Sequence, residues 1–215
     1  MPISEVFNED CMEGMKQYPD KFFDLAIVDP PYGILSNAGD RLDKYGTTHK
    51  KWDEAIPSNE YFIELQRVSK DQIIWGGNYF PYLWRGGCKG FIFWHKHQPV
   101  ENWAKGELAW TSFDKPANCF DFMCYGNVNQ DKGRFHPTQK PLKLYKWLLD
   151  KYAKEGDKIL DTHLGSGSSR IAAYLMGFDF YGFEIDKDYF EAQEKRFKEQ
   201  TAQGSLFGFN EKLSA

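Results

Sequence analysis

The chain has no run of roughly 18 apolar residues, the least that crosses a bilayer as a helix, and this excludes a helical membrane protein. Its opening, with Glu5, Glu9 and Asp10, lacks the basic start and apolar stretch of a secretory leader, so a cytoplasmic protein is expected. Cysteine is scarce. Cys11, Cys88, Cys119 and Cys124 form no C-x-x-C pair, which excludes a disulfide scaffold and a zinc ribbon. His95 and His97 share one face at strand spacing, but no further ligand cluster accompanies them, and no metal site is expected. An excess of basic residues is also missing. With 27 Lys and Arg against 31 Asp and Glu, the net charge is −4, so any nucleic acid would have to be met by a local basic surface. Internal repeats and low-complexity blocks are absent, which excludes a solenoid or a disordered linker.

What remains is ordinary globular material. The 215 residues, 41% hydrophobic and 27% charged, suffice for one domain with a real core. Apolar runs ended by turn residues predict strands at Asp24 to Val28 and Lys158 to Leu160. Further strands are expected around Val6, and over 72–75, 90–94, 107–111 and 178–184. A helix is predicted from Pro141, with Leu142, Tyr145, Leu148, Leu149 and Tyr152 at helical spacing and Gly156 as a left-handed stop. A second helix follows Gly167 to Gly177, and a third starts near Asp186. Strand, glycine turn, helix, strand is the pattern of a doubly wound, mostly parallel α/β domain, here assigned to residues 1–200. Residues 33–57 and 118–135 are read as lid loops, and 201–215 as a tail.

Two motifs carry chemistry. Asp29-Pro30-Pro31-Tyr32 directly follows the first buried strand. Two prolines surrender backbone donors and hold a stiff extended path, so they belong at a strand's end, where Asp29 and the Pro30 carbonyl face the ligand edge. The second motif runs from Asp161 through Gly165-Ser166-Gly167. Glycines there let the backbone approach a ligand, and the next helix offers N–H donors. Glu184 ends the following strand, where an acid takes ribose hydroxyls. Arg170 stands where a dinucleotide fingerprint needs a small residue, which counts against a pyrophosphate cofactor.

Together these motifs resemble the amino-methyltransferases of DNA, the adenine-N6 and cytosine-N4 enzymes that use S-adenosyl-L-methionine. Asp29 to Tyr32 looks like their catalytic D-P-P-Y. Residues 161–169 resemble their D-P-F-x-G-S-G-T loop, with Thr162 and His163 replacing Pro and Phe. His136-Pro-Thr-Gln-Lys-Pro141 resembles the segment before that loop, and Asn8-Glu-Asp10-Cys11 the one that meets the cofactor's adenine. The motif order is that of the circularly permuted beta group. The resemblance implies a seven-stranded Rossmann-like sheet, and it covers nearly the whole chain. It further implies that Asp10 and Cys11 lie at the adenine, Glu184 at the ribose, Asp161, Gly165, Ser166 and Gly167 around the methionine part, and Gln139 and Lys140 near its carboxylate. Asp rather than Ser at position 29 tilts it toward adenine. The target base must leave the duplex to be reached, and Tyr32 is the face expected to stack on it.

The acceptor logic of Asp29 would equally serve cytosine N4, RNA or a protein glutamine. A non-catalytic binding module is the reading from another class, and it has no need of the acceptor pair. A nicotinamide-dependent oxidoreductase ranks third. DNA phosphates are expected at Arg41, Lys44, Lys50, Lys51 and Arg134. Little chain is left for reading a long site, which implies a short recognition sequence or a homodimer that lends surface. Gln203, Leu206 and Phe207 resemble a sliding-clamp docking peptide; the alternative is that Leu206 and Phe207 fold back on their own domain.

Overall fold

The computed structural model describes residues 1–34, 55–125, 128–131, 135–136 and 139–207, with only the backbone of the last five. The strands are β1 (Ser4–Phe7), β2 (Phe23–Val28), β3 (Ser69–Trp75), β4 (Phe91–His95), β5 (Gly106–Thr111), β6 (Asn118–Asp121), β7 (Lys158–Asp161) and β8 (Asp179–Phe183). They form one sheet in the order β1-β8-β7-β2-β3-β5-β4-β6. Only β5 runs against its neighbours; the other pairings are parallel.

The central strands are buried on both faces, as a parallel sheet covered by helices requires. In β2, Leu25 and Ile27 point into one apolar cluster, with Leu144, Leu148, Ala172 and Ala173. Ala26 and Val28 point into the other, with Met15, Tyr61, Phe62 and Leu65. The first face is covered by α3 (Leu142–Tyr152) and α4 (Ser168–Met176). The second is covered by α1 (Cys11–Met15) and α2 (Asn59–Val68), while α5 (Lys187–Phe207) packs on α4. In α2 the buried side chains Tyr61, Phe62, Leu65 and Val68 form one helical stripe.

Among the described residues the sheet has eight strands where seven were expected. The extra strand is β6, inside the span 118–135 that reads as a lid. Only Phe120 of its four residues is buried, too little alternation to stand out in sequence, and it pairs with β4 alone. The tail expected from residue 201 is helical as far as Phe207, because Ala202 and Gln203 favour a helix and a single Gly204 costs only about 1 kcal/mol. The lid expected over 33–57 falls outside the described residues except at its ends.

After β2 the chain moves to β3 on one side, and after β7 it moves to β8 on the other. The adjacent pair β7 and β2 is therefore the switch point of the sheet, where the carboxyl ends of two strands open a crevice.

Candidate active site

Two sequence motifs meet at that crevice. β2 delivers Asp29 and Pro31, and the turn after β7 delivers His163, Leu164, Gly165 and Ser166, all lining one cavity of about 240 Å³. Gln139, Lys140, Tyr145 and Glu184 complete its wall. A smaller cavity of about 140 Å³ is lined by Asp10, Cys11 and Thr162. His163, Glu184 and Ile185 border both, so the two form one elongated cleft with Glu184 at its waist.

The glycine turn is built by backbone conformation and by charge. Gly165 and Gly167 have φ of 50° and 70°, a region costly for residues with a Cβ. Glu184 accepts hydrogen bonds from the N–H of Gly165 at 2.8 Å and of Asp186 at 2.9 Å. Asp161 is 1% exposed, and it accepts from the Ser169 hydroxyl at 2.5 Å and the His163 N–H at 3.0 Å. Burial lifts its pKa to about 7 against the pull of these two bonds. Neither Asp161 nor Gly167 is part of the cavity wall; they shape the turn from behind. From α5, the buried Arg196 donates to the Ser166 carbonyl and the Ser168 hydroxyl, both at 2.8 Å, and to Asp131 at 2.9 Å. Asp131 in turn accepts from the first N–H of α3.

Thr162 and His163, the departures in the loop, form a polar chain. Tyr61 Oη lies 2.6 Å from Thr162 Oγ1, which lies 2.9 Å from His163 Nδ1. Burial lowers the His163 pKa to about 4, so the ring is neutral at physiological pH. Cys11 is held as a thiol, its pKa raised to about 12 by burial and by the neighbouring Asp10 charge. Asp10 caps α1 by accepting from Met12 N at 2.7 Å.

Asp29 faces the cavity with both oxygens engaged. Tyr32 donates its hydroxyl to Oδ1, and the Lys140 ammonium lies 2.5 Å from Oδ2. The amine that the resemblance assigns to a cofactor carboxylate is thus occupied by protein carboxylates. Lys140 also reaches Glu107 Oε2 at 3.1 Å, in a geometry that falls short of a hydrogen bond, and Glu107 Oε1 takes the amine of Lys96. Burial opposes the charges of Lys140 and Glu107, but each is sustained by its partners. Lys140 stays above its usual pKa beside Asp29 and Glu107, and Glu107 falls to about 2 beside Lys140 and Lys96. The Tyr32 ring stacks on Tyr79 with centroids 5.2 Å apart, so one of its faces is covered. It packs where a Cβ on Gly76 would lie 2.1 Å from the ring.

Gln139 differs from its neighbours. It is 6% exposed, and its side-chain oxygen and nitrogen both lie buried on the cavity wall without a partner among the described residues. A buried amide left unpaired costs about 1–3 kcal/mol, which a ligand with both a donor and an acceptor would recover.

Sequence reasoning missed Glu107, Lys96, Tyr61 and Arg196. Each reads alone as an ordinary strand or helix residue, and only the folded chain brings it beside the residues of the cleft. Arg41, Lys44, Lys50, Lys51 and Arg134 lie outside the described residues, as do the side chains of Gln203, Leu206 and Phe207. Among the described residues, no helix is long and apolar enough to cross a membrane.

The chain is similar to known DNA methyltransferases. Residues 92–195 match the N6/N4 methyltransferase family model, described as DNA methylase. The type II methyltransferase M.HinfI of Haemophilus influenzae is 26% identical over 92% of this chain and 69% of its own length. M2.MboI of Moraxella bovis, another type II methyltransferase, is 24% identical over 91% and 88%. Among solved structures, the M1.HpyAVI–SAM complex aligns with a TM-score of 0.60 at 20% identity, covering 89% of this chain and 98% of that one. The cytosine-N4-specific PvuII DNA methyltransferase aligns with a TM-score of 0.63 at 12% identity, covering 95% and 93%.

Proposed function

Residues 92–195 match the N6/N4 DNA methylase family model, and from that likeness we infer that the chain is such a methylase and methylates N6 of a flipped-out adenine in DNA. The observation that carries this reading is the shared cavity of Asp29 and the Gly165 turn, with the unpaired Gln139 amide on its wall.

S-adenosyl-L-methionine, when bound, supplies an electrophilic methyl on a sulfonium. The residues present fit it. The Gln139 oxygen and nitrogen meet the ammonium and carboxylate of an amino-acid end, and the backbone of Gly165 and Ser166 lets that end approach closely. Glu184, at the waist of the cleft, takes the ribose hydroxyls. Asp10 and Cys11 border the smaller cavity, which suits the adenine.

On the substrate side, an exocyclic amine is a poor nucleophile because its lone pair is delocalised into the ring. Asp29 accepts one N–H and the Pro30 carbonyl the other, which turns the lone pair toward the methyl and favours the positive charge that develops on nitrogen. Asp29 is also placed to take the proton the amine gives up. To do this it must be released by Lys140, and Glu107 Oε2 is the acceptor waiting for that amine. Lys140 therefore acts as a latch that rests on Asp29 and parks on Glu107. The extruded base stacks on Tyr32 in the place that Tyr79 gives up.

The test is nucleoside analysis of DNA incubated with the protein and S-adenosyl-L-methionine. N6-methyladenine is expected; N4-methylcytosine would transfer the assignment to the other base, and unmodified DNA would overturn the reading. Asp29→Ala should abolish transfer while cofactor affinity stays nearly unchanged.

A further inference from the structure

Outside the lining of the cleft, β4 and β6 bring together three side chains of metal-binding chemistry. His95 and Asp121 are register partners on these parallel strands, and His97 follows two residues after His95. His95 Nδ1 lies 3.8 Å from Asp121 Oδ2, and His97 Nε2 contacts Asp121 Oδ1. The two imidazole centroids are 4.1 Å apart, and one ligand atom from each of the three residues fits within 4.8 Å of the others.

The backbone fixes this cluster on rigid elements. Beyond the strand ends the ladder continues, with Phe122 N donating to His95 O and Cys124 N to Lys96 O, both at 3.2 Å. His97 itself adopts φ of 54°, which redirects the chain directly after β4. All three groups are part-exposed or exposed, so water has access to any remaining coordination positions. Two imidazole nitrogens and one carboxylate oxygen form a donor set for a borderline first-row divalent cation rather than for calcium or magnesium, which require mainly oxygen.

We propose that His95, His97 and Asp121 form a binding site for one zinc-like divalent cation, separate from the methyl-transfer cleft and with open positions filled by water. An ion there takes the place of the imidazole–carboxylate contacts, and it needs only a small rotation of each side chain to bring the donors to bonding distance, about 2.0–2.2 Å. Sequence alone gave two histidines and no third ligand; the pairing of β6 with β4 supplies it.

Calorimetric titration of the chelator-treated full chain with zinc chloride tests this. Saturable binding of one ion is expected, weakened roughly tenfold or more in each of His95→Ala, His97→Ala and Asp121→Asn, with melting curves in the absence of metal confirming that the variants fold. Titration with cobalt(II) should give visible absorption from a low-coordinate nitrogen and oxygen environment, without the thiolate charge-transfer band that Cys119 or Cys88 would produce. No saturable binding, affinity in the variants equal to that of the parent chain, or a thiolate band would each overturn the proposal. None of these readouts depends on methyl transfer, so the outcome is independent of the proposed activity.

Discussion

Replacing Glu107 by Gln removes the charge that draws Lys140 away from Asp29 while keeping an acceptor of the same shape. At an effective dielectric of about 20, the attraction between unit charges at the 3.1 Å separation of Lys140 and Glu107 is about 5 kcal/mol, against nearly 7 kcal/mol at the 2.5 Å separation from Asp29. The amide dipole recovers part of the lost attraction, and Lys96, freed from Glu107, shifts the balance further. A net penalty of about 1–3 kcal/mol on releasing Asp29 is reasonable, which slows kcat roughly 5- to 150-fold. Cofactor affinity, measured by calorimetry, should be unchanged, because Glu107 is not on the wall of the cleft. The pH profile separates a latch from a merely structural role. Without Glu107, burial has less opposition and pulls the Lys140 pKa down. As pH rises through that lowered pKa the amine loses its charge and lets go of Asp29, so Glu107→Gln should recover activity at alkaline pH where the parent enzyme gains none. An unchanged kcat, or a loss of kcat matched by weaker cofactor binding and no alkaline recovery, would refute the latch.

Two further expectations concern the loop after β7. Asp161 has a folded pKa raised to about 7, well above its unfolded value, so the folded state holds its proton longer and stability falls as pH rises between about 4 and about 7. Asp161→Asn should remove that slope, worth about 4 kcal/mol, and raise the melting temperature more at pH 8 than at pH 4; an equal shift at both would refute it. Thr162→Val should leave the buried Tyr61 hydroxyl and His163 Nδ1 without their shared partner, costing about 1–3 kcal/mol in denaturant unfolding, with part recovered on adding Tyr61→Phe. No loss in the single variant would show that the chain of hydroxyls does not contribute.

The parts legible in the sequence are those with strong local signatures. β2 and β7 stand out because both faces are buried, which leaves no polar alternation, and the prolines and glycines that follow them punctuate sharply. Asp29, Glu184 and the glycine turn therefore read directly, and the strand order brings them to one crevice. β6 was hidden because a four-residue edge strand with one buried side chain carries almost no periodic signal. The partners of Lys140 were hidden for another reason. Glu107 lies on β5 and Lys96 directly after β4, and their approach to Lys140 follows from sheet order, which no local pattern encodes. The nearness of Asp121 to His95 and His97 was hidden in the same way, being supplied across a strand pairing.

The registry between β2 and β7 is fastened where Lys158 N donates to Asp24, groups 134 residues apart in the chain. Closing so long a loop is entropically costly and slow relative to local contacts, so neither wall of the crevice exists independently of the other. The protein should consequently acquire both its ligand pockets in a single late step of refolding, and a destabilised variant should forfeit them together rather than retain half a site.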